Sequence, residues 1–304
     1  MTLLVLTPDD ETTAAVDATD GLRALRYDPH DPSPPPGAEE AEALITSSAA
    51  VSTILELAPQ LPKLRIAQTL SAGFDAWDGK LPAGVALSNC RGAHGRATAE
   101  LAVTMLLTIL REIREFIEDQ DGRDWADRTT DSLFGKRVLI LGAGDLAEHA
   151  RAMLAPFGAT ATLVGRTARD GVITLADVPA LLPSTDAVIC VLPESPETHH
   201  TIDAAFLAAL PDDAIVVNVA RGGLVDTAAL LAELEARRLR AGLDVTDPEP
   251  LPEDHPLWTA PGLLLTPHVG GSTLGFPERA AAVAAEQLRQ FAAGDRPDNL
   301  VREG

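Results

Sequence analysis

With 304 residues, 46% of them hydrophobic, the chain is long enough to bury a substantial core and to form two domains. A formal net charge of −21 spread along its length argues against nucleic acid or an anionic membrane surface as a partner, and the two cysteines, Cys90 and Cys190, make no disulfide framework. No apolar run approaches membrane-spanning length and "MTLLVLTPDD" turns acidic too soon for a signal peptide, so a reducing cytoplasm is the expected location.

Short apolar runs alternate with helical patterns from one end to the other, which predicts an α/β class built from βαβ units on parallel sheets. Strands are expected near residues 3–6, 24–27, 43–46, 65–68 and 85–88, with "DPHDPSPPPGAEE" as a proline-rich surface loop. From about Ala97 one long amphipathic helix is expected, "ATAELAVTMLLTILREIREFIED". Its wide apolar face suits packing between domains, between subunits or within one core. A second α/β series runs from Arg137 to about Thr266, and a last helix near 277–293 is expected to return to the first domain. That gives a discontinuous domain of residues 1–92 and 268–304, interrupted by a domain of residues 93–267.

In the second series, "RVLILGAGDLAEHARAMLAPFG" places Gly142, Gly144 and Ala147 after a buried strand and at the opening of a helix. Followed by the strand "ATATLVG", this G-x-G-x-x-A spacing is the unit that cradles a dinucleotide pyrophosphate: one glycine for the turn, one for close approach, a small residue for helix-on-strand packing. Asp145 and Glu148 fit that picture badly, because carboxylates in the first turn repel a pyrophosphate although they suit a bare helix N-terminus. Weakened cofactor binding is expected. The second strand ends in "VGRTARD" and lacks the acidic residue that accepts from a free ribose. Arg166, Thr167 and Arg169 match a 2′-phosphate better, which favours NADP(H) over NAD(H); solvated loop arginines are the alternative.

Three further segments fall at strand ends of the second series: "VVNVARGGLVD" with Arg221, "GLDVTDPEPLPEDHPLW" with Asp244 and Glu249, and "LLTPHVGGST" with His268. In an open parallel sheet the carboxyl edge is where ligands bind, so a guanidinium there is a candidate anion or carbonyl reader, with a surface ion pair as the competing reading. Together these segments resemble the D-isomer-specific 2-hydroxyacid dehydrogenases, a family that includes glyoxylate and hydroxypyruvate reductases. The likeness extends to "LSAGFDAWD", similar to that family's substrate-carboxylate loop, and to "NCRGAHGRATAELAV", similar to its crossover segment.

The resemblance implies a Rossmann-type dinucleotide-binding domain inserted into a smaller flavodoxin-like α/β substrate domain, acting on a small 2-oxo or 2-hydroxy acid as a homodimer. It implies catalytic roles for Arg221, Glu249 and His268. Arg221 would bridge the substrate's carbonyl oxygen and carboxylate, with Gly222 and Gly223 leaving room for substrate and nicotinamide. His268 would be the proton donor, and Glu249 would bind its other ring nitrogen. Cofactor contacts are expected from Gly142, Gly144, Asp145, Leu146, Arg166, Thr167, Arg169, Leu192, Pro193, Thr198, Val219, Ala220, Asp244, His268 and Gly270, with Asp244 on the nicotinamide carboxamide. Substrate contacts are expected from Ser48, Ala72, Gly73, Arg221 and His268.

The adjacent His199 and His200 suggest a metal pair on sight but lack a third ligand, so no metal is expected. Ser47 and Ser48 offer no cation where a phosphorylated substrate would need one, although Arg91 or Arg96 could supply it from the crossover segment. Trp125 is either a group reaching a partner subunit's site or an ordinary interface residue. Two other readings remain: a short phosphoglycerate dehydrogenase, and a dinucleotide-sensing interaction protein of the same fold.

Overall fold

The computed structural model describes residues 2–47 and 50–304. The chain divides into two compact units, Met1–His94 with Thr273–Gly304, and Gly95–Ser272. In chain order the first unit supplies β1 (Leu3–Thr7), α1 (Asp10–Asp17), β2 (Leu22–Arg26), β3 (Ala43–Ile45), α2 (Val51–Leu57), β4 (Ile66–Gln68) and β5 (Ala86–Ser88). The second supplies α3 (Gly95–Leu110), α4 (Ile113–Gly122), β6 (Arg137–Leu141), α5 (Asp145–Leu154), β7 (Thr160–Gly165), β8 (Val172–Thr174), β9 (Ala187–Cys190), α6 (Ala204–Ala209), β10 (Ile215–Asn218), α7 (Thr227–Glu235), β11 (Arg240–Leu243) and β12 (Leu263–Leu265). Helix α8 (Phe276–Ala293) and β13 (Leu300–Arg302) complete the first unit.

The first sheet runs β13-β5-β4-β3-β1-β2. Its parallel part has the flavodoxin-like order 2-1-3-4-5, and β13 adds an antiparallel edge to β5. Strand β1 is buried along its whole length, as a strand covered on both faces must be, and its all-apolar start "LLVL" follows from that. Ala284, Ala285 and Leu288 of α8 pack on one face with Leu3, Val5 and Val16. Asp9 caps α1 by accepting from the Thr12 amide.

The second sheet runs β12-β11-β10-β9-β6-β7-β8, all parallel. That is the Rossmann order 3-2-1-4-5-6 with one strand added beside β11, and the winding reverses between β6 and β9. Apolar clusters cover both faces, one including Val188, Val216 and Leu230, the other Ile140, Val217 and Met105. Both cysteines are buried, and burial pushes each thiol up to about 12.

Two expectations need correction. The long helix is broken into α3 and α4 at Glu112, whose φ of 48° lies in the left-handed region. The break is set from outside the segment: the Asp131 amide donates to the Leu110 carbonyl at the end of α3, and Arg128 pairs with both Glu112 and Asp119 while lying over the Phe116 ring. The unit boundary also falls after Ser272 rather than before His268, because residues 266–270 are bonded to Asp244 at the end of β11.

Candidate active site

The strand order turns motifs scattered along the chain into neighbours. Strands β12, β11 and β10 lie side by side in register, so His268, the Asp244–Glu249 segment and Arg221 leave three adjacent strands at their carboxyl ends. Leu192 and Pro193 follow β9, the glycine turn follows β6, and Arg166 follows β7. From β12 to β7 is five strand spacings, roughly 24 Å of continuous edge.

Arg221 is held by its own backbone neighbourhood. The fully buried Asn218 donates to the Arg221 carbonyl at 2.7 Å and accepts from the Ala220 amide at 3.1 Å. The Arg221 guanidinium donates to the Ala220 carbonyl at 2.7 Å. Val219 points into the core, so only its backbone can meet a ligand. The two glycines that follow make room for protein, not for substrate as the sequence reading had it. A Cβ at Gly222 would collide with the Thr246 carbonyl, and one at Gly223 with the Glu194 carboxylate and the His199 ring. The Arg221 turn is therefore packed between the segment leading to Glu249 and the loop after β9.

Asp244 is 2% exposed, and its carboxylate is committed to the protein. Oδ1 accepts from Thr266 Oγ1 at 2.5 Å and the Val269 amide at 2.9 Å, and Oδ2 accepts from the Gly270 amide at 2.8 Å. The Asp244 carbonyl accepts from the His268 amide at 2.7 Å. Resemblance assigns Asp244 to the cofactor; the structure adds that it anchors the loop that carries His268. His268 needs that anchor, because its φ of 54° is a conformation non-glycine residues hold only under tertiary constraint. His268 Nδ1 lies 2.6 Å from Glu249 Oε1, which leaves Nε2 as the nitrogen able to face a substrate.

The glycine turn fits a dinucleotide. Gly142 has φ 141°, and a Cβ there would lie 2.5 Å from Val191 Cγ2, so only glycine serves. Nothing lies within 4 Å of a Cβ built on Gly144, which leaves the approach to the α5 N-terminus open, and Ala147 is fully buried against the sheet. Arg166, Thr167 and Arg169 are exposed at the end of β7, and Arg169 reaches back to donate to the Ala143 carbonyl at 2.9 Å. Thr198 uses its hydroxyl internally, donating to the Pro193 carbonyl at 2.7 Å and accepting from the Ser195 amide at 2.8 Å. Leu192 packs against the core beside them.

Ala72 and Gly73 belong to the first unit, in the turn after β4. The carbonyls of Ser71, Ala72 and Gly73 accept from Thr69 Oγ1, Asn89 Nδ2 and Ser71 Oγ at 2.7, 2.8 and 2.6 Å. Among the described residues nothing accepts from the Ala72 or Gly73 amide, so this loop presents donors, as a carboxylate requires. Ser48 lies outside the described residues. Arg91 donates to the Asp298 carbonyl at 2.9 Å. Sequence reasoning passed over Asn218 and Asn89, two asparagines at strand ends whose amides hold the Arg221 turn and the Ala72 loop. The signal available was an amide closing an apolar run.

A sequence model of the NAD binding domain of D-isomer specific 2-hydroxyacid dehydrogenases matches residues 103–270. The chain belongs to the D-isomer specific 2-hydroxyacid dehydrogenase family. It is 34% identical over 277 residues to a D-3-phosphoglycerate dehydrogenase of Mycobacterium leprae, covering 87% of this chain but 52% of that one. The chain thus spans about half the length of the phosphoglycerate dehydrogenases it matches. It is 32% identical over 283 residues to glyoxylate/hydroxypyruvate reductase B of Citrobacter koseri, covering 86% and 84% of the two chains. Among solved structures, a D-isomer specific 2-hydroxyacid dehydrogenase of Xanthobacter autotrophicus Py2, crystallised with NADPH and MES, superposes with a TM-score of 0.85 at 29% identity over 99% of this chain and 98% of that one.

Proposed function

We propose that this family member is an NADPH-preferring oxidoreductase that interconverts small 2-oxo and 2-hydroxy acids such as glyoxylate and hydroxypyruvate. The observation that carries the reading is the set of three adjacent strand ends bearing Arg221, Glu249 and His268. Gly142, Gly144 and the first turn of α5 would hold the pyrophosphate, and Arg166, Thr167 and Arg169 the 2′-phosphate. Bound nicotinamide supplies the hydride in reduction and takes it up in oxidation. Reduction of a 2-oxo acid builds negative charge on the carbonyl oxygen, and Arg221 offers it a planar, permanently charged donor. His268 gives that oxygen its proton from Nε2 while Glu249 fixes the ring and balances its charge; in oxidation the neutral ring takes the proton back.

The bonding of Arg91 to the Asp298 carbonyl supports an unphosphorylated substrate. Homodimerisation is part of the proposal. No residue of α4 is buried, and its apolar face includes Ile113 and Ile117, 45% and 54% exposed, with Trp125 beyond it at 95%. A face of that kind needs a cover, and a second copy supplies one.

The identity to phosphoglycerate dehydrogenases supports a second reading, so the test includes their substrate class. NADPH and NADH oxidation is followed with glyoxylate, hydroxypyruvate, pyruvate and 3-phosphohydroxypyruvate. We expect turnover of the small acids with NADPH favoured, and Arg166→Ala to raise the KM for NADPH about tenfold with little effect on NADH. Tighter binding of NADH, or efficient reduction of 3-phosphohydroxypyruvate, refutes the corresponding half of the proposal.

A further inference from the structure

The glycine turn contains one residue whose chemistry opposes the ligand the turn is shaped for. Asp145 is the first residue of α5, and Gly95 is the first residue of α3. The two helix starts abut: a Cβ placed on Gly95 would run into the Asp145 carboxylate and lie 3.3 Å from the Leu146 amide. The carboxylate therefore lies against the first turns of two helices, each with its positive pole at that end. His149 Nε2 stands 3.3 Å from Asp145 Oδ1, one turn along the helix. Gly144, directly before it, is open on the side where a Cβ would project. Glu148, the other acid of this turn, is tied to Arg151 of the same helix.

We infer that Asp145 is a built-in competitor for the pyrophosphate of the dinucleotide. Its negative charge complements the two helix starts in the free protein and repels the pyrophosphate that would lie at the α5 start in the complex. The inference rests on the dinucleotide reading above and adds a determinant of affinity to it. Because NADH and NADPH share the pyrophosphate, Asp145 weakens both by the same factor, while Arg166 and Arg169, one strand away, set the preference between them.

The test compares the wild-type chain with Asp145→Asn, Asp145→Ala and Glu148→Gln. Dissociation constants for NADPH and NADH are taken from nicotinamide fluorescence at fixed ionic strength, and melting temperatures are taken without nucleotide. Asp145→Asn is expected to tighten both nucleotides about tenfold with their ratio unchanged. Asp145→Ala moves affinity the same way, and Glu148→Gln changes it less than about threefold, since Arg151 already balances that charge. Without nucleotide, Asp145→Asn melts about 1–3 °C lower, because a favourable charge is lost from a helix start. The inference is overturned if Asp145→Asn binds nucleotide no better than wild type, if Glu148→Gln matches it, or if the nucleotide-free variant melts at or above wild type. Binding of neither nucleotide by wild type or any variant removes the dinucleotide reading itself, and this inference with it.

Discussion

Glu249 and His268 approach to 2.6 Å across the ends of β11 and β12, and Glu194 and His199 approach to 3.2 Å in the loop after β9. The two pairs share residue types, a sheet edge and exposure: the histidine side chains are 48% and 49% exposed. They differ in what holds them. His268 sits in a left-handed conformation on a loop whose hydroxyl and amides are gathered by the buried Asp244, and Glu249 takes one ring nitrogen and leaves the other directed elsewhere. His199 stacks on His200 at 4.0 Å and lies with Glu194 over Gly223, while the strained backbone belongs to its neighbour His200. The first pair is presented by the fold; the second is packing material for the Arg221 turn. Pairing distance and exposure do not separate the two rings; the support behind them does.

The widest separation between the pairs is expected from their histidines. His268→Gln should lower kcat for reduction by about 10²–10⁴, the usual worth of a general acid, whereas His199→Gln should lower it less than about threefold. Comparable losses in steady-state assays of the two variants would erase the distinction. Next in size is the support itself. Asp244→Asn turns an acceptor oxygen into a donor facing loop donors, which should cost about 1–3 kcal/mol in urea unfolding and about ten- to a hundredfold in kcat. A loss of stability with kcat intact would detach the loop from the chemistry.

The smallest and most specific effect concerns Glu249. Glu249→Gln keeps a hydrogen-bonding group beside His268 Nδ1 but removes its negative charge, and should lower kcat for reduction about three- to tenfold with the KM for NADPH little changed, whereas Glu194→Gln should leave kcat within about twofold. Equal effects of the two variants in steady-state assays would mean that Glu249 gives His268 no support that Glu194 does not give His199.

Features carried by local chemistry were legible in the sequence. The G-x-G-x-x-A turn, the β-branched run leading to Arg221, and the histidine after an apolar strand each follow from backbone or strand-end requirements that act within a few residues. What escaped depends on distant partners. Glu112 breaks a helix its own propensity would continue, because Arg128 and Asp131 act on it from the following segment. Gly222 and Gly223 read as space for a ligand until Thr246 and Glu194 are seen to fill it. That Asp244, expected on the cofactor, also gathers the Thr266 hydroxyl and the Val269 and Gly270 amides shows only once residues 266–270 have folded onto it. Strand β13, three residues with no strong β pattern, exists because β5 offers it an edge.

That last pairing sets a timetable for synthesis. Ser88 of β5 is translated 212 residues before its partner Leu300 (300 − 88), with the whole of the second sheet in between. At roughly 5–20 residues per second, the edge of β5 waits roughly 10–40 s on the ribosome for its covering strand. During that wait its outer amides and carbonyls are a template for any other extended chain, and the face of β1 and β3 destined for α8 is bare. The contiguous unit Gly95–Ser272 faces no such delay. The discontinuous unit is therefore the half whose sheet edge stays open longest while the chain is being made.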